Sequence, residues 1–263
     1  VAWIGELNNV LSLPLLLLAM CAYIDYDERG RWGPYARSMV FFSASLLCKS
    51  SGVMFPVVLL LYAWWRRRRI SAGDLRASAP FFAVALGLGL VTLSFQHHRA
   101  MGEVGVALDG FLPRLANTGR VIVFYLGKCL WPVHLSPIYS RWTISPLRFS
   151  QLIPWFALGA ITTWFWLRRQ TWGRSALFGF GWFVIHLIPV AGLISMAYLR
   201  ISWVADHLAY LSLAGLVGCA AAGVDAAWAA LGLLGRRIWG TGVAGVCVAL
   251  AAGSREYAAV FHD

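Results

Sequence analysis

Long apolar runs separated by short basic segments constrain the fold of this chain more than any other feature. Hydrophobic residues make up 60% of its 263 residues, and charged residues make up only 13%. A soluble domain carries about 25% charged residues, and a helix needs about 20 mainly apolar residues to cross a bilayer. Such runs recur from one end of the chain to the other. The sequence therefore predicts an all-α, polytopic integral membrane protein that folds as a helical bundle.

The basic residues predict which loops share a side of the membrane. They cluster at Arg66–Arg69, Arg168–Arg169 and Arg236–Arg237, between apolar runs, and loops rich in Lys and Arg stay on the cytoplasmic side. The net charge of +11 therefore indicates orientation signals and contacts with the headgroups of membrane lipids. Because the charge is placed in these loops, no nucleic acid is predicted as a partner.

Placing the basic clusters on one side gives about eight predicted spans. The run from 36 to 65 is interrupted at Lys49. A hairpin with Lys49 at its outer tip keeps both flanking basic segments cytoplasmic, whereas one long tilted helix would separate them. By the same parity argument, the region around Val121 is predicted to be an outer-surface or re-entrant element. The other spans are predicted at 9–24, 80–96, 152–167, 175–194, 208–224 and 238–252.

The pair Asp206–His207 joins two apolar runs on the predicted outer side. Ionisable residues at the edge of a lipid-buried segment are costly and usually functional. One interpretation is an interfacial cap, with Asp206 at a helix N-terminus and His207 and Tyr210 at headgroup level. The other interpretation is that these residues line an outward-facing cavity.

Further polar residues fall on the same outer side and suit a phosphate-bearing ligand. Arg and Lys bind phosphate through charge-assisted hydrogen bonds, and a carboxylate can activate or orient a hydroxyl. Each cation could instead extend to lipid headgroups without binding a substrate. No HExxH, GxSxG or phosphate-binding loop occurs, so neither a zinc site nor a soluble nucleotide is predicted. The outer-side candidates are Glu6, Lys49, His97, His98, Arg99, Glu103, Asp109, Arg114, His134, Arg141, Arg200 and Asp206.

Several short strings resemble one protein family in the same order. They are Val1–Glu6, Asn9–Ser12, Leu46–Lys49, Pro56–Trp65, Trp131–Ser136, Ala205–Ser212 and Ser254–Tyr257. Together they resemble bacterial and eukaryotic membrane proteins that join a GT-C-type glycosyltransferase membrane domain to C-terminal tetratricopeptide repeats. The characterised members of this family are similar to protein O-mannosyltransferases. The resemblance covers most of the chain.

This resemblance implies a GT-C-like fold in which residues 1–263 form a single transmembrane domain. They would be the later part of the membrane domain, with further helices before them and the repeat domain after them. The active face would be periplasmic, on a bacterial inner membrane. The donor would be a sugar such as mannose on a polyprenyl or dolichyl phosphate, and the acceptor a Ser or Thr hydroxyl of a protein. A divalent metal is an optional cofactor, and the family's catalytic acidic pair would lie upstream of Val1.

The resemblance also implies roles for individual residues. Asp206 would position donor or acceptor, and Glu6 would be a secondary polar contact or a second catalytic candidate. Lys49 and Arg200 would contact the lipid phosphate. The expected substrate-binding set is completed by His134, His207 and Tyr210.

The chain departs from the family pattern in two strings. After the Glu of the first string the family has a basic residue and an Asp, where this chain has Leu7 and Asn9. After the Asp of the later string it has Arg and Tyr, where this chain has His207 and Leu208. These differences leave a second hypothesis open, namely a non-catalytic membrane anchor or assembly module that presents the repeat domain.

Overall fold

The computed structural model describes residues 7–95, 110–144, 149–193 and 197–259. Every regular element in these ranges is helical, as the sequence predicts. The α-helices are α1 (Leu7–Arg29), α2 (Trp32–Cys48), α3 (Phe55–Arg67), α4 (Ala72–Phe95), α5 (Phe111–Leu130), α6 (Ile153–Leu167), α7 (Gly173–Leu187), α8 (Tyr210–Ala230) and α9 (Leu233–Ala259). Short 3-10 turns lie at Ser50–Met54, Phe149–Leu152, Ile188–Val190, Ala197–Arg200 and Asp206–Ala209.

Within the described residues, five helical segments are long and apolar enough to cross a membrane. They are Leu7–Arg29, Ala72–Phe95, Gly173–Val190, Asp206–Ala230 and Leu233–Tyr257. The other three predicted spans are present as α2, α3 and α6, with 17, 13 and 15 residues. At about 1.5 Å per residue, these helices are shorter than the roughly 30 Å hydrocarbon core. The described chain thus has five helical segments that are both long and apolar enough to cross a membrane, and the count of about eight spans stays a prediction.

The run from 36 to 65 forms two helices and not one long tilted helix. The backbone of Lys49 is extended, with φ −154° and ψ 125°, which ends α2 at Cys48. A 3-10 turn follows, and Pro56 lies in the first turn of α3, where the fixed φ of proline suits a helix start.

The arginine-rich segments meet at one end of the bundle, which we call the basic end (residues 25–37, 66–74 and 168–174). Arg67 Nη1 donates to both carboxylate oxygens of Asp27, at 2.7 and 2.9 Å, and Arg68 donates to Gln170. The end of α3 therefore lies beside the end of α1 and beside the α6–α7 connection. Helix α2 begins and α3 ends at this same end, which is the arrangement of the predicted hairpin.

Serines set the close packing of α1 against α2. The Ser38 hydroxyl donates to the Ala19 carbonyl at 2.7 Å, and the Ser45 hydroxyl donates to the Ser12 carbonyl at 2.8 Å. The partner numbers fall along α1 as they rise along α2, so the two helices are antiparallel. Small side chains allow this approach, and the hydroxyls gain an acceptor in an apolar core.

Glycines set the packing of α7 against α8. A Cβ placed on Gly179 would meet the Gly215 carbonyl and the Cys219 sulfur, and a Cβ on Gly215 would meet the Gly179 carbonyl. Close contact of this kind requires residues without a side chain. Small-residue packing in the Ala- and Gly-rich end of the chain is therefore present at Gly215, whereas the apolar window of α9 has no buried residue.

Helix α5 packs one face into the core at the end opposite the basic end. Thr118, Val121, Ile122 and Tyr125 are buried at spacings of three and four, which is the pattern of an amphipathic helix. The Thr118 hydroxyl lies 3.1 Å from the carbonyl oxygen of Ala191, which follows α7. With 20 residues α5 is long enough to cross a membrane, but it is not among the five described helices that are both long and apolar enough, and its placement as an outer-surface or re-entrant element stays a prediction.

Candidate functional site

Two irregular segments, residues 131–144 and 197–209, lie together opposite the basic end, and we call them the polar cap. Pro132 and Pro137 prevent the first segment from continuing α5 as a helix. The backbone groups of an irregular segment must then find other partners.

Side chains of the second segment supply these partners. The Ser202 hydroxyl accepts from the Tyr139 backbone N–H at 3.1 Å and lies 2.8 Å from the Tyr139 carbonyl oxygen. The Trp203 indole N–H donates to the Trp142 carbonyl at 2.9 Å. Both Ser202 and Trp203 are buried, so the two segments form one packed unit.

Asp206 joins the two segments of the polar cap. It begins the 3-10 turn that leads into α8, and its side chain is half-buried. The Tyr139 hydroxyl donates to Asp206 Oδ1 at 2.9 Å, and the Ser136 backbone N–H donates to Oδ2. The carboxylate therefore lies at a helix start, as the cap interpretation predicts, but its hydrogen bonds in the described chain run across to the other segment.

Tyr139 connects Asp206 to His134. Its hydroxyl oxygen is 2.9 Å from Asp206 Oδ1, is 3.1 Å from the His134 carbonyl oxygen, and accepts from the Ser136 N–H at 3.0 Å. Burial raises the pKa of Tyr139, and the neighbouring Asp206 raises it further. The phenol stays protonated, so it remains a donor that can serve either oxygen.

Lys128 places a cation beside this group without an ion pair in the described chain. Its ammonium donates to the carbonyls of Val133 and His134 at 2.7 and 3.0 Å. It also lies 5.2 Å from the centre of the Tyr139 ring, within the range of a cation–π contact. Lys128 thus fixes the turn of the first segment and adds positive charge next to Asp206.

Tyr125 fixes the backbone of Ala205, the residue before Asp206. Its hydroxyl donates to the Ala205 carbonyl at 2.9 Å and accepts from the Ala205 N–H at 2.8 Å. The Tyr125 side chain is fully buried, with 1% of its surface exposed. Both backbone groups of the residue before Asp206 are therefore satisfied by one side chain of α5.

Two exposed arginines lie together on the cap. Arg141 Nη1 donates to the Arg200 carbonyl at 3.2 Å, and the Arg141 guanidinium lies 4.1 Å over the Trp203 ring. The contact with the Trp203 ring restricts the Arg141 guanidinium, which has more N–H donors than the one that Arg200 accepts. The arrangement can bind a phosphate or carboxylate that approaches the cap from outside.

The structure brings together several of the residues predicted from sequence. The Tyr139 hydroxyl lies between the His134 carbonyl and the Asp206 carboxylate. The His207 ring contacts the Tyr198 ring at 5.5 Å between centres. Tyr210 is half-buried at the start of α8 and packs against a core formed by α1 to α4 together with Trp182 and Leu211.

Other predicted residues lie elsewhere. Lys49 lies at the end of α2, outside the two segments that define the cap. Glu6, the second catalytic candidate, lies outside the described residues, as do His97, His98, Arg99, Glu103 and Asp109. Arg114 is on α5, with Nη1 3.5 Å from the Leu193 carbonyl oxygen.

The sequence interpretation missed the residues that hold the cap together, which are Tyr125, Lys128, Tyr139 and Ser202. The residues selected from the sequence are mainly carboxylates, histidines and cations. Tyrosine and serine are common in loops, so their presence there does not by itself indicate a site. Tyr139 could have been selected as a candidate, since it follows the string Trp131–Ser136 by three residues. Nothing in the sequence pairs it with Asp206, which lies 67 residues away.

The described residues include no cluster of three or more His, Cys, Asp or Glu side chains that could hold a metal ion. The divalent metal given above as an optional cofactor is not tested by this observation.

Comparison with known proteins finds no matching family model, no similar curated protein and no similar solved structure.

Proposed function

We propose that the chain is a membrane-embedded part of a glycosyltransferase that uses a lipid-linked sugar and that the polar cap belongs to its substrate site. The observation that carries the proposal is the position of Asp206. It is held by Tyr139 and Ser136 at the start of a helical segment long and apolar enough to cross a membrane, with the Lys128 ammonium of α5 nearby. A polar group anchored at this depth is expensive unless it has a use.

The membrane placement is part of the proposal. Five apolar helices of sufficient length support it, and the collection of arginines at one end supports an orientation with that end in the cytoplasm. In this orientation the polar cap faces outward, to the periplasm of a bacterial inner membrane. The shorter helices α2, α3 and α6 would complete about eight spans where the bilayer adapts to their length.

The exposed pair Arg141 and Arg200 suits the phosphate of a polyprenyl-phosphate sugar. A phosphodiester is an anion with several acceptor oxygens, and arginine donates to such groups in a fixed geometry. Trp203 beneath Arg141 restricts the motion of its guanidinium, which lowers the entropic cost of binding. Lys49, at the tip of the hairpin, is proposed as a further contact.

Asp206 is proposed as a positioning residue, because both of its oxygens already accept hydrogen bonds. It holds residues 131–144, and with them His134, at the edge of the site. His207 and Tyr210, which follow Asp206 in the chain, are proposed to line the same substrate site. The catalytic base would be an acidic residue elsewhere, either Glu6 or the pair expected upstream, and it would activate a protein Ser or Thr hydroxyl.

The test is a transfer assay with the full-length protein in proteoliposomes, with a polyprenyl-phosphate mannose donor and a Ser/Thr-containing peptide acceptor. We expect transfer, and a loss of roughly tenfold or more when Arg141→Gln and Arg200→Gln are combined, since charged hydrogen bonds to phosphate are lost. Asp206→Ala should lower transfer by a similar factor. The control combines Arg31→Gln in the basic end with Arg76→Gln just beyond it on α4, which removes equal charge from exposed sites.

A second function is favoured by the same contacts around Asp206. Because its carboxylate is used to join two backbone segments, the cap could serve only to brace a membrane anchor that presents a partner domain. That function predicts no transfer by the wild-type protein with mannose or glucose donors, together with a lower unfolding temperature for Asp206→Ala. Donor-dependent transfer that the Arg141 and Arg200 changes abolish would exclude it.

A further inference from the structure

We propose that the basic end carries a binding site for one anionic phospholipid, where α3, α6 and α7 meet. The inference rests on the membrane placement proposed above, but not on glycosyl transfer. Two adjoining cavities carry it. One is lined by arginines, the other is apolar, and both include Trp64 and Trp166 in their walls.

The polar cavity has the charge of an anion site. Its volume is about 290 Å³, and three of its six lining residues are arginines: Trp64, Arg68, Trp166, Arg169, Gln170 and Arg174. No carboxylate is among them. In the described chain, the ion pairs at this end use other arginines, namely Arg29, Arg37, Arg66 and Arg67. No ion pair in the described chain therefore offsets the positive charge of the three arginines that line the cavity.

The cavity is organised before a ligand arrives. The indole rings of Trp64 and Trp166 stack 5.7 Å apart at an interplanar angle of 9°. The Arg169 guanidinium lies 4.6 Å over the Trp166 ring and donates to the Trp166 carbonyl at 3.0 Å. Arg68 donates to Gln170. Cations held in place in this way lose less entropy on binding.

The apolar cavity continues from the same tryptophans along the helices. Its volume is about 330 Å³, and its walls are Leu61, Trp64, Thr162, Trp166, Leu177, Phe180, Gly181, Val184 and Ile185. Leu177, Gly181 and Ile185 lie on successive turns of α7, so the groove climbs about 12 Å from the basic end at 1.5 Å per residue. A side chain on Gly181 would meet Leu61, so the glycine keeps α3 and α7 close along the floor.

The order of these surfaces identifies the ligand. Going inward from the basic end, the walls present positive charge, then indole rings, then hydrocarbon. A phospholipid presents phosphate, then glycerol ester, then acyl chain in that order, and tryptophan prefers the ester level of a bilayer. A free phosphate would use the arginines and leave the groove empty, and a zwitterionic lipid would use the groove with less gain from the arginines. Basic pockets between helices on the cytoplasmic side suit anionic headgroups.

The experiment counts bound lipids on the full-length protein in detergent by native mass spectrometry, with phosphatidylglycerol or phosphatidylcholine added. We expect one phosphatidylglycerol to stay bound at concentrations where phosphatidylcholine does not. Arg169→Gln with Arg174→Gln should weaken phosphatidylglycerol binding on the order of thirtyfold, because each arginine near an anionic lipid contributes about a fivefold gain in affinity. The matched control, Arg31→Gln with Arg76→Gln, should bind as the wild type does.

A second variant tests the groove. Thr162 is exposed on α6 within the groove wall, so Thr162→Trp fills the space from a position that tolerates a large side chain. It should weaken phosphatidylglycerol binding while the arginines remain.

Three results would overturn the inference: equal binding of the two lipids by the wild type, unchanged binding in the Arg169/Arg174 variant, or an equal loss in the control pair. Unchanged binding after Thr162→Trp would exclude the groove as the acyl site. Glycosyl transfer is not the readout, so a negative transfer assay with selective lipid binding would reject the proposed enzyme alone.

Discussion

Replacing Asp206 with Ala tests whether this carboxylate braces the polar cap. The change removes the acceptor of two hydrogen bonds, from the Tyr139 hydroxyl at 2.9 Å and from the Ser136 N–H. The Tyr139 hydroxyl can turn to the His134 carbonyl at 3.1 Å, and the Ser136 N–H keeps the Tyr139 hydroxyl oxygen as an acceptor at 3.0 Å. The loss is therefore that of the two hydrogen bonds to a charged acceptor, and a hydrogen bond to a charged group contributes about 1.5–3 kcal/mol. Since Asp206 is half-buried and water can reach it, we expect a loss of about 1.5 kcal/mol.

The measurement is the free energy of unfolding of the purified full-length protein in detergent, followed by a folding-sensitive probe under reversible conditions. The control is Asp225→Ala, because Asp225 is an exposed carboxylate on the same helix, and it should change stability by less than about 0.5 kcal/mol. A double-mutant cycle with Tyr139→Phe should show a coupling energy of about 1 kcal/mol. An Asp206 variant as stable as the control, or a coupling energy of zero, would refute the bracing role.

Three further changes test the packing that positions the cap and the basic end. Tyr125→Phe leaves the Ala205 N–H without its acceptor in the core, whereas the Ala205 carbonyl still accepts from the Leu208 N–H, and we expect a loss of about 1–3 kcal/mol in chemical unfolding. Gly215→Ala should cost about 1–3 kcal/mol by forcing α7 from α8, whereas Gly218→Ala has open space around it and should be neutral or slightly stabilising in thermal unfolding. Arg67→Gln removes the ion pairs with Asp27 and Asp74 and should lower stability by about 2 kcal/mol, measured at low and high salt.

Each of these changes has an outcome that contradicts its reasoning. A Tyr125→Phe protein as stable as the wild type would show that water replaces the lost hydroxyl. Equal effects of Gly215→Ala and Gly218→Ala would remove the argument for close helix contact. An Arg67→Gln effect as small as that of Arg76→Gln, an exposed arginine on α4, would mean that the ion pairs add nothing beyond surface charge.

The helices themselves were predictable from the sequence, because an apolar run of sufficient length has few other ways to satisfy its backbone in lipid. The break at Lys49 was predictable too, since a Lys-Ser-Ser-Gly interruption between apolar stretches disfavours one continuous helix. The lengths of the individual helices were not predictable. Helices α3 and α6 end early, and the ends of helices depend on local capping and on neighbours that a composition window does not include.

The site was predictable only in part. Asp206 stood out because a carboxylate beside a long apolar run is costly, and the structure places it at the centre of the polar cap. Its partners could not be read from the chain. Hydrogen bonds to Tyr139 and Ser136 span 67 and 70 positions, and no local pattern encodes a contact across such a distance.

By itself, the sequence determined the class of fold, the positions of the long helices and the collection of arginines between them. These features follow from composition over 10 to 20 neighbouring residues, so they depend on local physical chemistry. Only the tertiary structure decided that α5 lies against the end of α7, that Asp206 bonds across the polar cap, and that Trp64 stacks on Trp166 beside three arginines. Each of these depends on the packing of helices far apart in the chain, where small residues such as Gly179, Gly181 and Gly215 set how closely they approach.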